Sequence, residues 1–360
     1  MSHRSEVGRE AALQTPYARQ MKKLAFHELE NHEGWQRAAL YSGQADPFCC
    51  LPAWQLSFHE VFAPERQLMV WYEPGRVVDS VLVLAEQVFS AESVLLTPID
   101  TLWFFSSPLL GPHAVDMLAR AMSDLAAMYH PYFPRIVISG LQPGGAMPRR
   151  LLQVFGRSFD FFMHSETVQC AASLDGGLDG FLSRRSANHR AKLAKGSRRA
   201  RERGIVYERH VPAAEDEAVA VLARMLAVEE ESWKGQGQCG MTEEPARSFY
   251  AAMLRRLAPA CAARVMFARH EDRDVGFIFG GMAGGIYRGQ QFSYDRNWKD
   301  AGIGNLLQLE QVAWLCEEHA TRYDMGPVTG PRMGYKAHWT EKRLPIQTWL
   351  MVKKQSGFPQ

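Results

Sequence analysis

One series of elements occurs twice along this 360-residue chain, and that repeat limits the fold more than any single motif. In the first half, strand-like runs cover 68–73 and 77–89, parted by the turn Pro74-Gly75. Pro108 to Pro112 then leads into a helix from about 114 to 129, and a short strand follows at 135–139. In the second half the strand-like runs are 264–269, 275–282 and 286–294. A loop with Gly302 and Gly304 leads into a helix over about 303–320, whose less polar stripe is Leu306, Leu309, Ala313, Cys316 and Ala320. Strands at 322–325 and 346–352 close the series. Such self-similarity predicts two related α/β (α+β) domains in tandem, each a mixed, mostly antiparallel sheet flanked by helices. The expected boundaries are an N-terminal arm over 1–45, a first domain over 46–165 and a second over 166–355. Two long helical stretches, 178–203 with Gly204 as its cap and 214–232, open the second domain.

Composition narrows the classes that such a chain can join. With 46% hydrophobic and 22% charged residues it is globular, not disordered. Lys+Arg of 41 against Asp+Glu of 39 excludes a polycation built to coat nucleic acid. No apolar run approaches the roughly 18 residues of a membrane span; the longest candidate, 93–110, is broken by Pro98, Asp100, Ser106, Ser107 and Pro108. The polar N-terminus has no signal-peptide core, so a cytoplasmic protein is expected. Cys49, Cys50, Cys170, Cys239, Cys261 and Cys316 lack metal-ligand spacing, and no metal is expected.

The segment from Tyr294 to Leu307 is the most informative for chemistry. Its two glycines, between a strand and a helix, let several N–H groups point into one concavity at the positive end of the helix dipole, where a pyrophosphate fits. The corresponding first-half turn, Ser107-Pro-Leu-Leu-Gly111-Pro112, lacks the second glycine, and Pro112 has no N–H to donate.

With these residues the chain resembles the Gcn5-related N-acetyltransferase (GNAT) superfamily. Lys299-Asp-Ala-Gly302-Ile-Gly304 is similar to its pyrophosphate loop, Arg/Gln-x-x-Gly-x-Gly/Ala, with Lys in first place. The closer resemblance is to the tandem CelD/BioF2-like branch, related to the Fem aminoacyltransferases. It rests on the basic helix within 184–204, on Glu229-Glu-Glu-Ser-Trp233-Lys234-Gly, on Phe292-Ser-Tyr294-Asp, and on Tyr323-Asp324 followed by Tyr335-Lys336-Ala-His-Trp339. The loop 326–334 is longer and richer in proline than in that branch.

The resemblance implies an N-acyltransferase that moves an acyl group from acyl-CoA, or from an acyl-carrier protein, to a small-molecule or peptide amine by direct attack in a ternary complex. Gly302, Ile303, Gly304 and Asn305 would hold the pyrophosphate, and the strand Gln291, Phe292, Ser293, Tyr294 would pair with the pantetheine arm. Tyr335 is the expected acid for the departing thiolate, and Lys336 would favour a thiolate or carboxylate. Asp324 is expected as a base or anchor facing the cleft, or as a partner of Arg332 or Lys336. Glu229, on the apolar face of its helix, is the other candidate base. Trp233, Lys234 and, from the first domain, Trp103 are expected to contact the acceptor. His189, His319 and His338 show no ligand pairing.

Two other readings stand beside this one: a Fem-like transferase with an aminoacyl-tRNA donor, and a non-catalytic scaffold for a peptide or carrier protein. Nine cations, from Arg184 to Arg203, crowd one helix against Glu202 alone. They fit a solvated helix, an anion-binding wall for CoA phosphates or a carrier protein, or an RNA contact. No aromatic platform is interleaved, which disfavours nucleic acid.

Overall fold

Residues 21–29, 32–41, 43–328 and 331–354 are described here, from a computed structural model of the chain. Along the first half run β1 (Lys22–Leu24), α1 (Glu33–Ala39), α2 (Pro47–Cys50), α3 (Pro52–Phe62), β2 (Leu68–Glu73), β3 (Ser80–Ser90), β4 (Ser93–Thr97) and β5 (Leu109–Leu110). Then come α4 (Ala114–Met128), β6 (Arg135–Leu141), α5 (Ala146–Phe155) and β7 (Phe159–Ser173). The second half continues with α6 (Gly177–Ser183), α7 (Ala187–Glu202), β8 (Ile205–His210), α8 (Glu215–Glu230), α9 (Trp233–Gln236) and α10 (Ala246–Leu257). It ends with β9 (Ala263–His270), β10 (Arg273–Ala283), β11 (Ile286–Tyr294), α11 (Ile303–Glu317), β12 (Arg322–Pro327) and β13 (Lys342–Lys353).

The expected repeat is present in the topology. β2, β3 and β4 are antiparallel neighbours, and β6, after α4, lies parallel beside β4 at Leu95 and Leu96. Likewise β9, β10 and β11 are antiparallel, and β12, after α11, lies parallel beside β11 at Ile286–Arg288. The two units form one sheet of order β1-β2-β3-β4-β6-β13-β7-β12-β11-β10-β9-β8, with β5 on β3. At its seam the last strands are exchanged. β13 inserts between β6 and β7, while β7 pairs with β12 of the second unit. The expected 165/166 boundary therefore falls inside a strand that serves both units.

β4, β7 and β8 escaped the sequence reading. β7 shows no period-2 pattern because residues 162–166 are exposed on both faces, and its burial is confined to Phe159 and its last third. The helix expected over 178–203 is two helices. Ser186 caps the second, its side chain accepting from the His189 N–H at 3.2 Å, and so ends the first. α11 is buried well beyond the expected stripe, at Leu307, Val312, Trp314 and Leu315 as well, because α6 and α7 cover its outer side.

One apolar core is common to both units. Trp35, Phe48, Trp54 and Phe58, from segments preceding β2, pack with Met225, Phe249, Phe277 and Phe279 of the second half. Burial of each such side chain stabilises by about 1.5–3 kcal/mol, so the part of the expected arm from 33 to 39 is structural. On the opposite face α4 and α5 cover the first unit, and α6, α7 and α11 cover the second. Among the described residues no helix is long and apolar enough to cross a membrane.

Candidate functional site

The site grows from a parting of two parallel strands. β11 and β12 pair only at Ile286–Arg288 with Arg322–Asp324, and beyond them β11 runs on to Tyr294 without β12. The backbone of β11 is also bulged here. Its register with β10 steps from Phe279 opposite Gln291 to Gly280 opposite Gly289, leaving Gln290 as the extra residue. A cleft of about 590 Å3 opens in this wedge, lined by 289–294 of β11 and by Tyr323 and Met325 of β12.

The glycine loop closes one end of the cleft. Residues Arg296–Ala301 form a 3-10 turn begun by Asp295, whose side chain accepts from the Asn297 N–H at 2.9 Å. Gly302 then adopts φ +72°, a left-handed conformation that favours glycine, and starts α11. A Cβ on Gly304 would lie 2.8 Å from the Tyr294 ring, so this glycine permits close packing of helix on strand. The first-turn N–H groups of a helix have no acceptor within it, and Gly302, Gly304 and Asn305 line the cleft here with Lys299. Ile303 lies behind them, fully buried in the core. In the first unit the corresponding Leu109–Leu110 is zipped onto β3 as a strand.

The opposite wall comes from the loop after α8. Lys234 Nζ donates to Gln291 Oε1 and to the Phe292 carbonyl, both at 2.9 Å, and Gln291 Nε2 donates to the Tyr250 hydroxyl at 2.7 Å. Glu229 lies behind this lysine. It is fully buried, with Oε1 3.6 Å from Lys234 Nζ and accepting from the Met241 N–H at 3.2 Å. Burial lowers the Lys234 pKa, against the pull of Glu229. Glu229 thus does not line the cleft; it secures the loop that presents Trp233, Lys234 and Cys239.

Tyr335 and Lys336 enter from the 3-10 segment Pro331–His338, anchored by the fully buried Trp339. The Tyr335 ring lies 5.7 Å from that of Phe292, and burial pushes its phenol up to about 12. Lys336 Nζ donates to the Pro327 carbonyl at 2.6 Å. Burial, with a smaller push from the Arg288 guanidinium, lowers its pKa to about 8. The cleft lining contains Lys234, Lys299 and Lys336 and no carboxylate among the described residues.

Two expected site residues lie elsewhere. Alternation along β12 puts Tyr323 and Met325 on the cleft and Asp324 on the other face. There Asp324 Oδ2 accepts from Arg322 Nη2 at 2.7 Å and from Gln169 Nε2 at 3.3 Å, beside the Arg288–Asp46 pair. Burial raises its pKa to about 6 despite Arg322. Among the described residues its partner is thus Arg322 and not Lys336; the side chain of Arg332, the other expected partner, lies outside them. Trp103 belongs to an aromatic cluster with Trp54, Phe58, Phe62 and Phe249, away from the cleft. Conversely, Tyr250, Gln290 and Met333 carried no local signal; their roles arise only when α10, the bulge and the 331–338 segment meet. Among the described residues no cluster of three or more His, Cys, Asp or Glu could hold a metal ion.

Residues 187–337 match the model of the acetyltransferase (GNAT) domain family. No curated protein sequence matches the chain. Among solved structures, FemX is similar at TM-score 0.66 and 10% identity, over 92% of this chain and 97% of that one. A conserved protein of unknown function from Bacteroides thetaiotaomicron VPI-5482 is similar at TM-score 0.58 and 10% identity, over 93% and 100%. L-PGS from Bacillus licheniformis is similar at TM-score 0.50 and 15% identity, over 88% and 94%. At such identities the likeness is one of fold. Residues 187–337 thus match a GNAT domain model, and the fold is a tandem of two units of like topology.

Proposed function

From a GNAT domain whose glycine loop, parted strands and buried lysine meet in one cleft, we propose that the chain is an N-acyltransferase using an acyl thioester, acyl-CoA in the simplest case, and an amine acceptor. The observation that carries this reading is the convergence of Gly302–Asn305, the bulged edge of β11 and Tyr335-Lys336 on one electropositive space. The loop N–H groups receive the donor's phosphates, and the free edge of β11 receives its pantetheine arm. Lys234, tied to Gln291 and the Phe292 carbonyl, positions that edge.

The amine nitrogen attacks the thioester carbonyl carbon. A C–N bond forms, the C–S bond breaks, and the electron pair leaves on sulfur as thiolate. Lys336, whose pKa of about 8 lies near that of a thiol, supplies the proton. Tyr335, at about 12, is too weak an acid to match and orients the sulfur by hydrogen bonding. The surplus proton on the new amide nitrogen leaves through water, since no carboxylate among the described residues lines the cleft. The test is thiol release from acyl-CoAs of increasing chain length with a panel of amines and peptides. Amine-dependent thiol and N-acyl product are expected; thiol release that no amine accelerates would overturn the reading.

A further inference from the structure

The proposed chemistry leaves unused the cations of α7. Lys192, Lys195, Arg198, Arg199, Arg201 and Arg203 are exposed and have no ion-pair partner among the described residues. Several other arginines of the second unit are paired, as Arg209 is with Glu317, Arg224 with Asp274, Arg264 with Glu318 and Arg288 with Asp46. Leu193 and Ala200 hold α7 down, with Gly196 against Leu306 of α11. Lys192, Lys195, Arg199 and Arg203, three and four residues apart, form one ridge about 16 Å long on a flank of the helix. The ridge begins at the glycine loop. Lys192 and Gly196 share a side chamber of about 260 Å3 with Gly302, Asn305 and Tyr335, and those three also line the main cleft.

We propose that this ridge docks the acidic helical face of a carrier protein that presents the acyl thioester on its phosphopantetheine arm. The proposal rests on the acyltransferase reading and names its donor. With the arm's phosphate at Gly302–Asn305, the carrier body must sit just outside the cleft mouth, where the ridge runs. Free CoA brings one phosphate beyond its pyrophosphate, too few to occupy four cations. A nucleic acid fits less well, for two reasons. The cationic strip is one helix wide, because Glu310 of α11 lies within Coulombic reach of Arg201 on its other flank, and Glu317 and Glu318 follow at the C-terminal end of that helix. α7 also carries no aromatic residue on which bases could stack. Complementary charge of this kind chiefly speeds encounter and fixes orientation. The transfer is unchanged: the acyl carbon leaves the arm's sulfur for the amine nitrogen, and the arm remains on the carrier as thiol.

The test compares one acyl group on a purified acyl carrier protein, on CoA and on free phosphopantetheine. The wild type and the triple variant Lys195→Glu, Arg199→Glu, Arg203→Glu are assayed, with the corresponding Gln variant as the milder form and thermal melts as the folding control. The expected result is a KM for the carrier donor at least about tenfold below that for acyl-CoA. That advantage should disappear in the Glu variant and at about 0.5 M salt, while turnover of acyl-phosphopantetheine stays within about twofold. Equal loss on all three donors, or no advantage of the carrier in the wild type, overturns the proposal; so does tRNA binding that the Glu variant abolishes where carrier binding is absent. If no thioester is turned over, the acyltransferase reading fails, and binding of the holo carrier to wild type but not to the Glu variant still reports on docking alone.

Discussion

Replacing Lys336 by Met separates two consequences of burying an amine in the cleft. Burial and Arg288 bring this lysine from its ordinary 10.5 to about 8, a change worth roughly 3 kcal/mol. The folded state therefore prefers the neutral amine. Between about pH 8 and 10.5 the unfolded chain holds more protons, so wild-type stability rises with pH through that window, and the full cost is carried below pH 8. Met has no such dependence. Urea unfolding of both proteins from pH 7 to 10.5 should show the wild type gaining about 3 kcal/mol on the variant, with most of the change above pH 8. Activity should move the other way. Wild-type kcat should fall above about pH 8 as the acid loses its proton, and the variant should lose about 10²–10⁴ in kcat with little change in KM. A stability difference constant with pH, or a variant that keeps kcat, would refute the assignment.

Further substitutions separate cleft from scaffold. Gly302→Val puts a branched side chain at φ +72°, with nothing within 4 Å of the new Cβ. It should cost about 1–2 kcal/mol in urea unfolding and weaken donor binding by about tenfold or more. Asp324→Asn keeps an acceptor for Arg322 on the far face of β12, so kcat and donor affinity should stay within about threefold; a loss of about a hundredfold would return Asp324 to the chemistry. Trp103→Ala removes a ring packed on Trp54 and Phe249, and should lower stability by about 2 kcal/mol with kcat/KM unchanged.

Features encoded by local pattern were legible in the sequence. The hairpins β2–β3 and β10–β11, α4 and α11 follow from alternation, turn residues and a helix-start glycine, and the loop 299–305 with 291–294 could be placed at one cleft because they are contiguous. The placement of Asp324 is also encoded by period: with Tyr323 and Met325 toward the cleft, alternation turns it away. Ser186 was a readable cap inside what looked like one helix. By contrast, the exchange of β7 and β13 is a long-range pairing of strands with partly exposed faces, which leaves no local periodicity. The Lys234–Gln291–Tyr250 chain joins three separate elements, and Glu229 shows its purpose only when residues 232–241 fold back over it.

Calorimetric titration of the protein with acetyl-CoA and longer acyl-CoAs tests the central claim most directly, alongside Asn305→Asp, which sets a carboxylate among the cleft-lining residues at the start of α11. The account predicts saturable binding of at least one acyl-CoA by the wild type, weakened by about tenfold or more in the variant because like charge meets phosphate at the loop. Failure to bind every acyl-CoA, or equal affinity of the two proteins, would contradict it.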